Sequence, residues 1–227
     1  VLGGGEGATL REILRWKSIE KVMMIDIDGE VVEACKQHLP EMHQNAFEDP
    51  RVELVIEDAL KVLDTTNETW DINISDLSDP IEEGTSFALF TQEYFTKLKR
   101  VLNPGGYVVV QAGPVSPTEV TYHARLVNTL KTLFLNVTSL ASHTPSYGRP
   151  WGFALCSQET INTQPNPEAI DKLLATHTNG GFRFLDGRAL LGVMQTPLFV
   201  RQAIASETTV YTLKEPPKFF GTGIVKG

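Results

Sequence analysis

The hydropathy pattern alternates between two periods along the chain. Short, nearly continuous apolar runs such as Val22-Met23-Met24-Ile25 and Val52-Glu53-Leu54-Val55-Ile56 read as buried strands. Between them, apolar residues return every three or four positions, the spacing of a helix with one buried face. Leu10, Ile13 and Leu14 predict a helix over 8–17, and Val31, Val32, Cys35 and Leu39 predict a second that stops before Pro40. After the strand at 52–56 come a short helix over 60–65 and a fourth strand at 70–75. A helix over 90–102 then turns Phe95, Leu98 and Leu102 inward. Asn103-Pro104-Gly105-Gly106 reads as a turn, followed by a strand over 107–111, a long helix over 119–134, and strands at 136–141 and 152–156. Alternation of this kind predicts an α/β fold, a mainly parallel sheet flanked by helices. The last two strands are joined by a turn and not a helix, so that pair is expected to be antiparallel. A polar, proline-bearing stretch over 158–167 sets off helices near 167–176 and 198–205. The expected organisation is an α/β domain over 1–157 and a C-terminal helical and irregular appendage over 158–227, packed on the same domain.

The stretch that changes this picture most is the first. Val1-Leu2 runs into Gly3-Gly4-Gly5-Glu6-Gly7, then the first helix, then a strand ending in Asp26-Ile27-Asp28. Strands usually run about 5–6 residues, so two residues before the turn predict a fragment whose N-terminal part lies upstream. Glycines at Gly3, Gly5 and Gly7 let the backbone approach a ligand where a Cβ would clash. Asp26 lies about 20 residues further on, where nucleotide-binding βαβ units place the acid that holds ribose hydroxyls. Glu6 within the turn would repel a phosphate and suits a ligand carrying positive charge.

Four successive strands deliver acids to one sheet edge: Glu6, Asp26, Asp58 and Asp76, with Asp79 three residues later. One such acid alone reads as a helix N-cap. Four in register call for a cation, a metal or hydrogen-bond donors among them. No phosphate-gripping lysine follows the glycine turn, against a P-loop holding magnesium. His38 and His43 flank Pro40, which breaks the helical spacing a zinc site would need, so both are expected in solvent and no metal is assigned. An organic ammonium or sulfonium fits best, with Asp26 on the ribose, Asp58 beside the base, and Glu6 and Asp76 flanking a charged side arm.

Composition narrows the partners. The chain has 227 residues, 41% apolar and 21% charged, and a net charge of −8. A soluble globular protein without a basic face excludes nucleic acid as an expected partner and is compatible with cationic substrates. No apolar run reaches the roughly 18 residues that span a bilayer. Cys35 and Cys156 lack CxxC partners and are expected to be reduced thiols in a cytoplasmic protein. For the same reason the sequons at Asn67 and Asn136 are expected to be unused.

The motifs resemble the polyamine aminopropyltransferases, the spermidine and spermine synthase family. The similarity lies in Gly3-Gly4-Gly5-Glu6-Gly7-Ala8-Thr9-Leu10-Arg11-Glu12, Asp26-Ile27-Asp28, Asp49-Pro50-Arg51-Val52, Glu57-Asp58-Ala59 and Asp76-Leu77-Ser78-Asp79-Pro80. It extends through Asn103-Pro104-Gly105-Gly106, Gln111-Ala112-Gly113, Pro145-Ser146-Tyr147 and Trp151-Gly152-Phe153, and more loosely to Asp186-Gly187 and Val210-Tyr211-Thr212. The resemblance implies a Rossmann-like, class I methyltransferase-like fold. It also implies transfer of an aminopropyl group from decarboxylated S-adenosylmethionine, a co-substrate and not a bound cofactor, to a polyamine, with methylthioadenosine leaving. Gly3, Gly5, Glu6, Gly7, Asp26, Asp58 and Ala59 would bind the donor. Asp76 and Tyr147 would be catalytic, and Asp76, Asp79 and Tyr147 would meet the acceptor amine. A homodimer or homotetramer is implied, with no membrane or nucleic-acid partner.

Diamine-using members commonly carry an acid after the Gln-Gly pair, where this chain has Gln111-Ala112-Gly113-Pro114. In this the chain resembles thermospermine synthases and the enzymes that accept triamines or agmatine. An acceptor longer than putrescine is therefore expected, with Glu82 and Glu83 lining a longer channel or lying in solvent. Two other readings share the pattern: a class I S-adenosylmethionine-dependent methyltransferase, against which Glu6 argues, and a catalytically silent polyamine-binding homologue.

Overall fold

The structure is a computed structural model that describes residues 1–80 and 85–217. Its strands are β1 (Leu2–Gly3), β2 (Val22–Asp26), β3 (Val52–Ile56), β4 (Trp70–Asp76), β5 (Leu102–Pro114), β6 (Asn136–Thr144) and β7 (Arg149–Ser157). The helices are α1 (Ala8–Ile13), α2 (Gly29–His38), α3 (Pro40–His43), α4 (Ala59–Thr65), α5 (Gln92–Arg100), α6 (Val120–Lys131), α7 (Pro167–His177), α8 (Gly187–Val193) and α9 (Leu198–Ser206). The seven strands form one sheet in the order β3-β2-β1-β4-β5-β7-β6. β1 runs parallel to β2 and β4, and β2 parallel to β3, whereas β7 is antiparallel to both β5 and β6. This is the expected mainly parallel α/β sheet with an antiparallel end.

Two compact units share the chain. The first holds Val1–Thr65, Ser75–Leu77 and Pro165–Leu191. Leu10, Leu14, Val22, Met24 and Ala46 form its buried core, with Ile13, Phe47, Val52 and Leu54 packed around them. α2 begins where the Asp28 carboxylate accepts from the Val31 N–H at 3.0 Å and ends at Leu39, before Pro40. Asn166 caps α7 in the same way, on the Ala169 N–H, with Pro167 at its first turn. Past that helix, Arg15 donates to the Gly180 carbonyl and Trp16 bridges Thr178, which ties the 165–191 segment to α1.

The second unit holds Thr66–Ile74, Ser78–Gln164 and the described residues from Gly192 on. Its buried side chains include Phe90, Tyr94, Phe95, Leu98, Val108, Val110, Tyr122, Leu126 and Leu130. The helix expected over 90–102 is shorter here. A 3-10 turn occupies Thr85–Phe90, and Thr91, in extended backbone, caps α5. The turn expected at 103–106 belongs instead to β5, because Gly106 lets the strand pass the Asp71 carbonyl where a Cβ would stand 2.7 Å away. β6 and β7 outrun their expected ends and pair as far as Thr144 and Arg149, joined through a 3-10 turn at Pro145–Tyr147. α8, which lies mostly in the first unit, was not expected. Asp186 starts it by accepting from the Ala189 N–H at 2.6 Å.

Candidate active site

The strand order reverses between β1 and β4, and in open α/β sheets ligands bind at the carboxyl ends of the strands flanking such a reversal. In the first unit Gly3 pairs with Asp76 across that junction. Gly3 has φ +81°, and a Cβ on it would lie 2.1 Å from the Asp76 carbonyl oxygen. At Gly5 a Cβ would lie 2.9 Å from Oδ2 of Asp26. The glycine turn thus lies directly against two of the strand-end acids; at Gly3 only a bare backbone fits, whereas at Gly5 the neighbour is the movable tip of a side chain.

Each of these acids is held by a group from its own neighbourhood. Asp76 Oδ2 accepts from the Thr9 hydroxyl at 2.9 Å, which joins the end of β4 to the first turn of α1. Asp26 Oδ1 accepts from the Asp28 N–H at 3.0 Å. Burial pushes the Glu6 carboxyl above its usual range; the charges of Asp76 and Asp26 add to the rise, while backbone N–H groups at Glu6 and Ala8 oppose it. Glu6 therefore lies close enough to Asp26 and Asp76 to feel their charges. Asp58 plays the other part foreseen for such acids. Its Oδ1 accepts from the Leu60 N–H at 2.8 Å, capping α4, of which Ala59 is the first residue.

His43 corrects an expectation. It is buried, not solvated. Asn45 donates its N–H to Nδ1, Nε2 faces the Lys36 carbonyl, and the ring packs on Phe47. The Leu39–Pro40 break that rules out helical metal spacing starts a new short helix, which swings His43 back onto α2. His38 is exposed, as expected. No group of three or more His, Cys, Asp or Glu side chains among the described residues is arranged to hold a metal ion. Cys35 and Cys156 are free thiols, the first half-buried and the second buried.

The second unit holds Asp79 and Tyr147. Gln111 donates its amide N–H to Asp79 Oδ1 at 2.7 Å and accepts from the Trp151 indole N–H at 2.6 Å. Tyr147, 54% exposed, stacks on Trp151 with ring centroids 4.4 Å apart. A continuous series of contacts therefore runs from the exposed phenol to the half-buried acid. Burial raises the Asp79 carboxyl above its ordinary value, and the Gln111 hydrogen bond and the Arg149 charge oppose that rise. Arg149 is itself paired with Glu119, which also accepts from the Ser116 hydroxyl. Arg149 and Glu119 were not singled out from sequence, since an isolated Arg and Glu 30 residues apart carry no pattern. Thr9, Gln111 and Trp151 stood within recognised motifs, but nothing in their spacing assigned them a partner. Glu82 and Glu83 lie outside the described residues.

The fold defines the class, a Rossmann-like α/β protein with a glycine turn and acids at the reversal of its strand order. Residues 1–165 match the spermine/spermidine synthase domain family. A polyamine aminopropyltransferase of Synechococcus sp. (strain JA-3-3Ab) is 55% identical over 221 residues, 96% of this chain and 71% of the relative. That of Sulfolobus acidocaldarius is 39% identical over 216 residues, 95% of this chain and 71% of the relative. Among solved structures, a spermidine synthase in complex with the transition state analogue AdoDATO superposes with a TM-score of 0.80 at 23% identity, covering 91% of this chain and 68% of that one. The spermidine synthase from Thermotoga maritima gives 0.77 at 23% identity, covering 91% and 67%. This chain belongs to the spermine/spermidine synthase family.

Proposed function

We infer that this protein moves the aminopropyl group of decarboxylated S-adenosylmethionine onto a polyamine nitrogen and releases methylthioadenosine. Within the family shown by the comparisons, the observation that carries this reading is the Glu6–Asp26–Asp76 cluster against the glycine turn. A sulfonium is a good leaving group, so the protein mainly has to hold an amine in line with the donor carbon. The amine must be neutral to attack, whereas free polyamines are protonated at pH 7. Asp76, fixed by Thr9, accepts a hydrogen bond from the ammonium and helps remove its proton. Tyr147 or water shares that transfer. Asp26 takes the ribose and Asp58 the base. Gly3, Gly5 and Gly7 admit the nucleoside, and Ala59 lies beside it at the start of α4. Glu6 attracts the lone ammonium of the decarboxylated donor and repels the carboxylate of S-adenosylmethionine, which separates this activity from methyl transfer. Calorimetry with both sulfonium compounds tests this, and equal affinity would remove the role given to Glu6.

We propose further that the acceptor is longer than putrescine, met by Asp79 and Tyr147. Pro114 supports this. It is buried in β5 opposite Trp151 and supplies no charge where diamine-using relatives place an acid. One ammonium left unsatisfied should lower kcat/KM for a short diamine by roughly 5- to 150-fold, the equivalent of about 1–3 kcal/mol. A competition among equimolar putrescine, agmatine and spermidine, read by mass spectrometry, decides it. Predominant conversion of putrescine would refute the long-acceptor reading and leave aminopropyl transfer standing. The free thiols support a cytoplasmic protein, and family resemblance supports a homodimer or homotetramer, which light scattering would measure.

A further inference from the structure

Gln111 is a buried amide whose orientation decides what Asp79 faces. A glutamine side chain can be turned end for end with little change in shape, so its hydrogen-bond partners must settle which end is oxygen. Here they do. Oε1 sits 2.6 Å from the Trp151 indole nitrogen and 3.1 Å from the backbone nitrogen of Gly113. An indole N–H and a backbone N–H can only donate, so the atom between them must be the acceptor. The amide nitrogen is then left pointing at Asp79 Oδ1, 2.7 Å away. A turned amide would set N–H against two N–H groups and a carbonyl against a carboxylate, losing all three bonds in a buried place.

The backbone contributes to this arrangement. Between Gln111 and Pro114 the β5–β7 register shifts, and Gly113 in that irregularity has φ +74°. Irregular strand positions of this kind re-aim side chains and backbone groups. Here the shift coincides with the Gly113 N–H meeting the Gln111 side chain two residues earlier. A Cβ at Gly113 would stand 2.5 Å from the Tyr122 ring, so the position admits only glycine. Trp151 lies opposite Pro114 in the register, which brings its indole to the same amide.

We propose that Trp151 is a positioning residue for acceptor binding: with Gly113 it locks the Gln111 amide so that its N–H holds the Asp79 carboxylate in place to receive an ammonium. This rests on the reading of Asp79 as an acceptor-binding acid. The indole N–H acts through Gln111 and does not itself touch the acceptor. Without the lock, the amide turns freely and Asp79 loses a fixed donor that favours its charged form. Beside Gln111, the Arg149 guanidinium, already engaged by Glu119, acts on Asp79, and the Asp79 charge in turn reaches the buried Tyr122 phenol.

The experiment uses Trp151→Phe, which keeps an aromatic ring against Tyr147 and removes the indole N–H together with the second ring, alongside Gln111→Met, Asp79→Asn and the Trp151→Phe/Asp79→Asn double variant. KM for donor and acceptor, kcat, the pH dependence of kcat/KM and thermal melting are measured for each. Trp151→Phe and Gln111→Met should each raise the acceptor KM by about 10-fold, the order expected for a buried hydrogen bond left unmade, with donor KM within about 2-fold of the parent by the same reasoning. The acid limb of the acceptor kcat/KM profile should move to higher pH. In the double variant the loss should not exceed that of Asp79→Asn alone, because both changes act through one carboxylate. Losses that add, or a lower melting temperature with acceptor KM and pH limb unmoved, would overturn the lock. If Asp79→Asn itself left the acceptor KM unchanged, the acceptor assignment would fall. A raised KM in Asp79→Asn beside parental behaviour in Trp151→Phe and Gln111→Met would sink the positioning role alone.

Discussion

At the residue scale, the acids of the first unit separate by what holds them. Asp76 takes a hydroxyl from Thr9 and caps no helix among the described residues, which leaves it suited to chemistry. Asp76→Asn keeps the shape and that bond but removes most of the basicity. Turnover should fall by about 10²-fold or more, with methylthioadenosine affinity near that of the parent; equal turnover would return Asp76 to a structural role. Glu6 has a consequence for stability. Its carboxyl binds a proton more tightly in the folded protein than in the unfolded chain, because burial and the Asp26 and Asp76 charges disfavour ionisation. Ionising it therefore costs stability as pH rises from the unfolded value through the raised folded one, and that cost is fully present above the folded value. Glu6→Gln should melt at a higher temperature than the parent at pH 7 without ligand, and the difference should shrink toward pH 4. The same variant should lose preference for the decarboxylated donor over S-adenosylmethionine. Scanning calorimetry reads the first effect and titration calorimetry the second.

At the scale of elements, the glycine turn and the strand it leaves are one device. Gly3→Ala meets both a left-handed φ and the Asp76 carbonyl, so it should destabilise the fold by at least the ~1–3 kcal/mol of such backbone strain. Gly5→Ala meets only the tip of the Asp26 side chain. It should leave melting close to the parent and weaken methylthioadenosine binding, and a binding assay showing parental affinity would contradict the close approach described here. The order of strands and helices was legible because each element carries its own period. The apolar runs at β2 and β3 and the spacing of α1 and α2 placed these elements without tertiary context, but not their burial: β3 buries none of its residues fully, and Ile56, Val31 and Leu39 are exposed. Boundaries were less legible where a local bond competes with the pattern. Thr91 cuts a helix whose apolar spacing continues through Phe90, and Gly106 lets a strand run through what reads as a turn. The site was legible where acids end strands. It was not legible in Arg149, Glu119 or the orientation of Gln111, since those depend on the register between distant strands.

At the scale of the whole molecule, acid sensitivity follows from one buried base. His123 lies on α6 with Nδ1 3.0 Å from the Ala112 carbonyl of β5 and Nε2 2.7 Å from the Ser139 hydroxyl of β6. A carbonyl only accepts, so Nδ1 carries the proton and Nε2 accepts from Ser139. Burial pushes its pKa down from 6.5 to about 4. The unfolded chain binds this proton first as pH falls, so stability drops between about pH 6.5 and 4, by about 3 kcal/mol in all. In urea titrations across that range, His123→Gln should be less stable at pH 7 but flatter with pH. An unchanged slope would mean that other groups govern acid unfolding.

The tethering of Asp26 and Asp58 has an evolutionary corollary. These carboxylates stabilise a loop or a helix end with one oxygen, so the residues proposed to bind the nucleoside also serve as folding residues. Tyr147, more than half exposed on its hairpin, rests its ring against Trp151 and leaves much of its side chain in solvent. In a library of random variants selected only for soluble expression, Asp26 and Asp58 should resist change while Tyr147 drifts. A lineage released from the need to make polyamines would then forget its acceptor long before it forgot its nucleoside.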